Sequence, residues 1–279
     1  MKLIEGNLLA DKIQLQLKQE VVSFKSKPGL AVILVGENPA SLSYIRQKNK
    51  AADKIGINFQ TIKLPAKTNT AKLIQTIQRL NRDKKIHGII VQLPLPSQIN
   101  ETLILNAIDP SKDVDGFHPL NRGKVFLNDE TGFAPCTPKG ILKLLEYSKC
   151  SPRGKHVVIV GRSNLVGKPL AVMLINQQAT VTVCNSQTRR LKQITQTADI
   201  FISAMGQSHF FKNPAWFKKG VVLIDVGFSK VKDKICGDIQ LEKFKNLARA
   251  GTPVPGGVGP LTVACLMENV IKAWGKNKM

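Results

Sequence analysis

A phenol and an amine stand four residues apart at Tyr44 and Lys48, the spacing at which two side chains share one face of a helix. Such a pair makes a tunable proton carrier. Burial, or the neighbouring cations Arg46, Lys50 and Lys54, disfavours the ammonium and brings Lys48 toward a working range for acid–base chemistry. The bland alternative for the same residues is a solvated basic helix face. Further along, Gln92 closes the apolar run from Gly88 to Val91, just ahead of Leu93-Pro94-Leu95-Pro96. Open α/β sheets place ligand contacts at strand ends of this kind, and an amide there can both donate to and accept from a polar heterocycle. Asp113-Val114-Asp115-Gly116 offers a carboxylate to the N–H and amino groups of an aminopyrimidine-like ring, or else forms an ordinary Asp-Gly turn.

A second group of residues suits a dinucleotide. The apolar strand from His156 to Val160 runs into Gly161-Arg162-Ser163-Asn164-Leu165-Val166-Gly167-Lys168-Pro169 and then an apolar helix. A tight turn at Gly161 aims the amides of the next helix at a pyrophosphate. Ser163 stands where the middle glycine of G-x-G-x-x-G belongs, so a plain strand-to-helix turn is the competing reading. The next strand, Thr180 to Cys184, ends without the acid that reads the free ribose of NAD. Asn185, Ser186, Gln187, Thr188, Arg189 and Arg190, with Arg162, offer hydroxyls and cations to a 2′-phosphate instead, which favours NADP.

The elements that must hold these residues alternate. Periodicity predicts a helix over 3–20, a strand over 29–35, a helix from Pro39 to about Ile55 with Asn38 as cap and Gly56 as stop, and a strand over 58–64. A helix over 70–81, a strand over 88–92 and a helix over 101–107 follow. Residues 109–136 break the rhythm with Asp, Asn, Gly and Pro, and an interdomain hinge is expected there. Beyond it come a helix from Thr137 to about Tyr147, strands over 156–160, 180–184, 199–204 and 221–226, a helix over 166–177, and a last helix over 261–274 after the Gly/Pro-dense stretch 252–260. Strands separated by helices favour parallel sheets.

Composition narrows the rest. The chain has 279 residues, 43% of them hydrophobic, and 41 Lys+Arg against 19 Asp+Glu, a net charge of +22. That is enough apolar material for one large or two small cores rather than a disordered polycation. No apolar run reaches the roughly 20 residues of a membrane span, and the first residues carry no signal-like apolar stretch, so a cytoplasmic protein with no membrane partner is expected. Cys136, Cys150, Cys184, Cys236 and Cys265 are scattered, as are the four histidines, and no metal site is expected. The basic residues are spread without long runs and few aromatics interleave them, which points away from specific nucleic-acid binding.

In order, these passages closely resemble the bifunctional methylenetetrahydrofolate dehydrogenase/methenyltetrahydrofolate cyclohydrolase family. The resemblance rests on Pro39-Ala40-Ser41 with Tyr44 and Lys48, Val91 to Pro96, Asp113 to Phe117, Pro135 to Pro138, Gly161 to Pro169, Asp225-Val226-Gly227, and Thr252 to Pro260. It implies two α/β domains around a cleft. Residues 1–138 would form the folate-binding catalytic domain, with 256–279 returning to it, and 139–255 a Rossmann-like NADP-binding domain. It implies oxidation of 5,10-methylenetetrahydrofolate by NADP, hydrolysis of the methenyl product to 10-formyltetrahydrofolate, polyglutamylated folates as partners, and a homodimer formed through the nucleotide-binding domains. By carry-over, Lys48 moves the proton in hydrolysis, Tyr44 positions the folate, Gln92 hydrogen-bonds near Lys48 and Asp115 grips the pterin. Val91, Leu93, Pro255, Gly256, Gly257, Pro260 and Thr262 line the folate site. Gly161, Arg162, Ser163, Val166, Gly167, Ser186, Gly206 and Phe228 hold the cofactor. Gln187 stands where many relatives carry a basic residue, which leaves NAD open, and Phe228 replaces a more usual aliphatic. Two alternatives are a dehydrogenase of another small acid, as in the two-domain shikimate-type enzymes, and a basic nucleic-acid-binding protein on a dinucleotide fold.

Overall fold

The computed structural model describes residues 1–231 and 234–276. In chain order the elements are β1 (Lys2–Leu3), α1 (Gly6–Val22), β2 (Gly29–Val35), α2 (Pro39–Ile55), β3 (Asn58–Leu64), α3 (Thr70–Arg82), β4 (Gly88–Val91), α4 (Glu101–Ala107), α5 (Pro119–Phe126) and α6 (Cys136–Tyr147). Then follow β5 (His156–Val160), α7 (Gly167–Asn176), β6 (Thr180–Cys184), α8 (Leu191–Thr195), β7 (Ile200–Ser203), β8 (Val222–Asp225), β9 (Ser229–Val231), β10 (Lys234–Cys236), β11 (Ala250–Gly251) and α9 (Val258–Lys276). No helix among the described residues is long and apolar enough to cross a membrane.

Two compact units result, one built from Met1–Ala10 with Cys136–Thr262, the other from Asp11–Pro135 with the chain from Val263 onward. The second holds a parallel sheet in the order β3-β2-β4. Its central strand β2 is apolar and buried at every position, as a strand covered on both faces must be. Ile77, Leu80, Ile89, Ile104 and their neighbours fill the space against α3 and α4. Local chemistry sets α2 at both ends. Asn38 Oδ1 accepts from the N–H groups of Ala40 and Ser41, Pro39 opens the helix where a missing N–H costs nothing, and Gly56 closes it at φ 98°.

The first unit carries a parallel sheet ordered β1-β11-β8-β7-β5-β6 among the described residues. From β5 the chain steps outward to β6 and then returns to the other side as β7. The order therefore reverses between β5 and β7, the switch point at which doubly wound sheets bind ligands. Phe201, Phe211, Phe217 and Phe244 interlock in its core with ring centroids 4.6 to 5.7 Å apart.

Three features differ from expectation. Residues 1–10, expected with 11–138, belong to the six-stranded unit. There β1 pairs with β11, Lys2 opposite Ala250 and Leu3 opposite Gly251, and the N–H groups of Gly6 and Asn7 donate to Gly256 O. Residues 256–262, expected to return to the folate unit, stay with the same group, and the last three residues of the expected return, 277–279, lie outside the described residues. A two-residue strand is too short to show a period, so nothing in the sequence marks it. The third difference is the expected hinge segment, which folds instead as α5, with His118 Nδ1 accepting from Leu120 N and Asn121 facing inward. Gly123 and two flanking polar residues hide that helix from a periodicity count.

Candidate active site

In the three-stranded unit α2 follows β2, and Gln92 follows its sheet neighbour β4. Adjacent parallel strands end at the same edge, so helix and amide meet there. Lys48, 9% exposed, donates from Nζ to Gln92 Oε1 at 3.0 Å. Gln92 Nε2 donates to its neighbour's carbonyl, Leu93 O, at 2.9 Å, which turns the amide oxygen toward the lysine. Ser41, two turns before Lys48 on α2, reaches the same carbonyl at 3.4 Å. Tyr44 is half-buried, and desolvation pushes its phenol above the usual range, so it stays a neutral hydrogen-bonding group. The cations expected to crowd Lys48 do not all bear on it: Lys54 pairs with Asp11 at 2.8 Å on the surface, and Arg46 and Lys50 are exposed. Burial and a neutral amide form the environment of the amine. Val91 is buried and Leu93 half-buried at the same edge.

Of the two carboxylates in Asp113-Val114-Asp115-Gly116, the first builds the loop and the second is left half-exposed. Buried Asp113 accepts from Phe117 N at 3.1 Å, His118 N at 2.8 Å and Asn121 Nδ2 at 2.8 Å. Burial pushes its carboxyl above the ordinary range. Asn269 on α9 donates to Val114 O at 2.8 Å and Ala134 O at 3.1 Å, tying the loop down from the far end of the sequence. At Gly116 (φ 74°) a Cβ would lie 2.6 Å from Phe133 O, so only glycine turns the chain there. Sequence reasoning missed Asn121 and Asn269, because single amides inside helices carry no spacing signal.

At the switch point of the six-stranded sheet, Gly161 follows β5 at φ 132°, and a Cβ on it would stand 2.5 Å from Ala204 O in the loop after β7. A Cβ on Gly167 would stand 2.0 Å from Gly161 O. The turn is therefore a tight backbone cradle of the sort a pyrophosphate needs. Ser163 explains its own departure from the glycine pattern: its Oγ accepts from Val166 N at 3.1 Å and Gly167 N at 3.4 Å, capping α7. Exposed Arg162, Ser186, Gln187, Arg189 and Arg190 stand at the carboxyl ends of β5 and β6. Gln187 N donates to Asn185 Oδ1 and Asn185 N to Thr188 Oγ1, which closes that turn on itself. Gly206 (φ 68°) has open space where a Cβ would project, and Phe228 is 46% exposed. These residues fit a dinucleotide with a phosphorylated ribose.

Two buried carboxylates lie in the same unit: Asp225, read in the sequence only as part of Asp225-Val226-Gly227, and Asp238, which the sequence reading passed over. Asp225 accepts from the N–H groups of Gly227, Asp238 and Ile239 at 2.8 to 3.1 Å, and burial pushes it up to about 7. Asp238 is fully buried. Nearby in sequence, Gly256 (φ 104°) turns the Pro255-Gly256-Gly257 segment, and Thr262 Oγ1 meets Thr137 Oγ1 at 3.0 Å. Pro260 is half-buried. These residues belong to the six-stranded unit, whereas Lys48, Gln92 and Asp115 belong to the other.

A glycine cradle at the switch point of one parallel sheet, with a buried amine held at the edge of another, defines an α/β enzyme that uses a dinucleotide. Two family models match the chain: tetrahydrofolate dehydrogenase/cyclohydrolase, catalytic domain, over residues 4–115, and tetrahydrofolate dehydrogenase/cyclohydrolase, NAD(P)-binding domain, over residues 135–278. The chain belongs to the tetrahydrofolate dehydrogenase/cyclohydrolase family. It is 48% identical to the bifunctional protein FolD of Halalkalibacterium halodurans over 97% of this chain and 98% of that protein. The solved structure of the bifunctional enzyme FolD, methylenetetrahydrofolate dehydrogenase/cyclohydrolase, from Campylobacter jejuni superposes with a TM-score of 0.96, at 44% identity and full coverage of both chains. The Trypanosoma brucei methylenetetrahydrofolate dehydrogenase-cyclohydrolase, solved with NADP cofactor and inhibitor, gives 0.94 at 35% identity, covering 98% of this chain and 97% of that one.

Proposed function

We propose that this chain oxidises 5,10-methylenetetrahydrofolate to 5,10-methenyltetrahydrofolate with NADP and hydrolyses the product to 10-formyltetrahydrofolate. The observation that carries the reading is the buried Lys48 amine fixed on Gln92, in a chain whose family unites these two reactions. Bound NADP supplies the hydride acceptor. The chain's part in that step is alignment, because the folate's own nitrogens stabilise the cation left behind. Gly161, Arg162, Ser163, Val166, Gly167, Ser186, Gly206 and Phe228 hold the dinucleotide. Asp115 pairs with the pterin, Tyr44 positions the ring, and Val91 and Leu93 line the folate site.

Hydrolysis needs a proton carrier. Water adds to the methenyl carbon and Lys48 takes the first proton that the water loses; as the carbon–N5 bond breaks, the carbinol hydroxyl gives up its remaining proton to become the formyl C=O, Lys48 relays one proton to N5 and the other leaves to solvent, so that the formyl group stays on N10. Gln92 Oε1 keeps the amine in one place through the cycle.

The partners in this reading are polyglutamylated folates, drawn to a chain of net charge +22, and a second copy of the chain. Strand β6 ends the six-stranded sheet, with Val183 38% and the neighbouring Ile175 57% exposed, and an uncovered edge of this kind favours pairing between nucleotide-binding units. The enzyme works in the cytoplasm. The test is reduction of NADP⁺ and, separately, NAD⁺ by the purified protein with methylenetetrahydrofolate, following NADPH and the methenyl product at distinct wavelengths. Reduction of NADP⁺ and decay of the methenyl signal are expected; turnover with NAD⁺ alone would reverse the cofactor assignment, and none with either would end the proposal.

A further inference from the structure

Asp238 stands outside every residue so far given a chemical role, yet it gathers more donors than any other carboxylate described above. Its Oδ2 accepts from Ser203 Oγ at 2.7 Å, Met205 N at 2.8 Å and Gly206 N at 3.3 Å, and its Oδ1 from Gln207 N at 2.7 Å. These four donors are the end of β7 and the loop that follows it. We propose that Asp238 is a positioning residue for dinucleotide binding, clamping the loop 203–207 in the one shape that leaves the Gly161 cradle open.

The chain of contacts is short. Held at Ser203 and Met205, the loop places Ala204 between them, with Ala204 N donating to Val160 O at 2.8 Å. Ala204 O is the atom 2.5 Å from the Cβ that Gly161 lacks, so the loop and the turn after β5 fit with no slack. Gly161 O in turn fills the place of a Cβ on Gly167, the first residue of α7. A shift of the loop by a few tenths of an ångström therefore passes directly to the turn. Gly206 is secured from its other side as well, its carbonyl accepting from Ser229 Oγ at 3.0 Å.

Asp238 is itself fixed. Its N–H donates to Asp225 Oδ1 at 3.1 Å, the next N–H, of Ile239, donates to Asp225 Oδ2 at 2.8 Å, and Asp225 N donates to Thr252 Oγ1 at 2.8 Å. A Cβ on Gly227 would stand 2.2 Å from Asp238 Oδ1, so that glycine exists to let the carboxylate in. Direct recognition of the cofactor is not its task, since a buried carboxylate repels a phosphate. What it contributes is shape. Asparagine has the same size but sets an NH2 against donors, so Asp238→Asn leaves at least one of them without an acceptor.

The inference rests on the reading that this edge binds NADP, and the bifunctional chain supplies its own control. Hydrolysis of methenyltetrahydrofolate uses Lys48 and Gln92, which belong to the other unit and need no dinucleotide. In the full-length protein, NADPH affinity is measured by nicotinamide fluorescence titration, alongside the hydrolysis rate and the melting temperature, for wild type, Ser203→Ala and Asp238→Asn. The expected result is a Kd for NADPH raised about 3- to 10-fold by Ser203→Ala and about 10- to 100-fold by Asp238→Asn, with hydrolysis within about twofold of wild type in both. The KM for NADP⁺ should rise while kcat at saturation holds. A Kd unchanged in both variants overturns the clamp. So does a fall in hydrolysis parallel to the loss of binding, which would mark Asp238 as a support of the whole fold; should Asp238→Asn fail to fold, Ser203→Ala decides. Wild type that binds no NADPH would overturn the nucleotide reading itself.

Discussion

Replacing Lys48 with Met should separate the two activities, stopping hydrolysis and sparing hydride transfer. The side chain is 9% exposed and makes one hydrogen bond, 3.0 Å to Gln92 Oε1, so the substitution conserves volume while removing an ammonium and leaving an amide oxygen without its donor. The lost charged hydrogen bond costs about 2 kcal/mol, and release from burying an ammonium offsets part of it. A net change of about 1 kcal/mol shifts the melting temperature by only about 2 to 4 °C in a chain of this size. Catalysis should respond far more strongly, since a positioned general acid–base contributes about 10²- to 10⁴-fold. Decay of the methenyl absorbance should slow by that factor, while NADPH binding and formation persist. Hydrolysis at the wild-type rate would refute the role of Lys48. Dehydrogenation falling by the same factor as hydrolysis would show that Lys48 holds the folate rather than moving a proton.

Other perturbations bear on the remaining parts. Gly161→Ala forces a side chain onto φ 132° and against Ala204 O, and should abolish NADPH binding in a fluorescence titration while hydrolysis continues. Asn269→Leu removes the amide that donates to Val114 O and Ala134 O and should raise the KM for folate in both reactions with the KM for NADP⁺ unchanged. Asp225 keeps its proton in the native state to about pH 7, whereas the unfolded chain releases it near 3.8, so its contribution to stability is full below 3.8 and is lost as pH rises through about 7. Denaturant unfolding at about pH 5 and about pH 8 should show the part of that loss that falls between them, bounded above by about 3 kcal/mol, in wild type and not in Asp225→Asn. His87 has the opposite sign. Buried, with Nδ1 accepting from Gly29 N at 2.9 Å, it is held below its ordinary value of 6.5 by desolvation and then by Lys112. Its contribution is present above 6.5 and lost as pH falls below, a slope that His87→Asn should reduce.

The sequence by itself determined the alternation of strands and helices, because parallel-sheet strands and amphipathic helices are written in periods of a few residues. The strands at 29–35 and 58–64 and the helix from Pro39 to Ile55, closed by Gly56, fall where periodicity and capping place them. The spacing of Tyr44 and Lys48 and the glycine turn at 161 were equally open to reading, since their chemistry is local. Tertiary structure alone decided what depends on distant partners. Lys48 finds Gln92 because β4 lies beside β2 in the sheet, and Asp238 finds Ser203 through contacts made 35 residues apart. Residues 1–10 join the six-stranded unit through a strand of two residues, too short to carry a period, and Asn269 reaches Val114 across 155 positions. Such pairings are settled by which backbone groups remain to be satisfied once the sheets have formed, and no spacing along the chain encodes that.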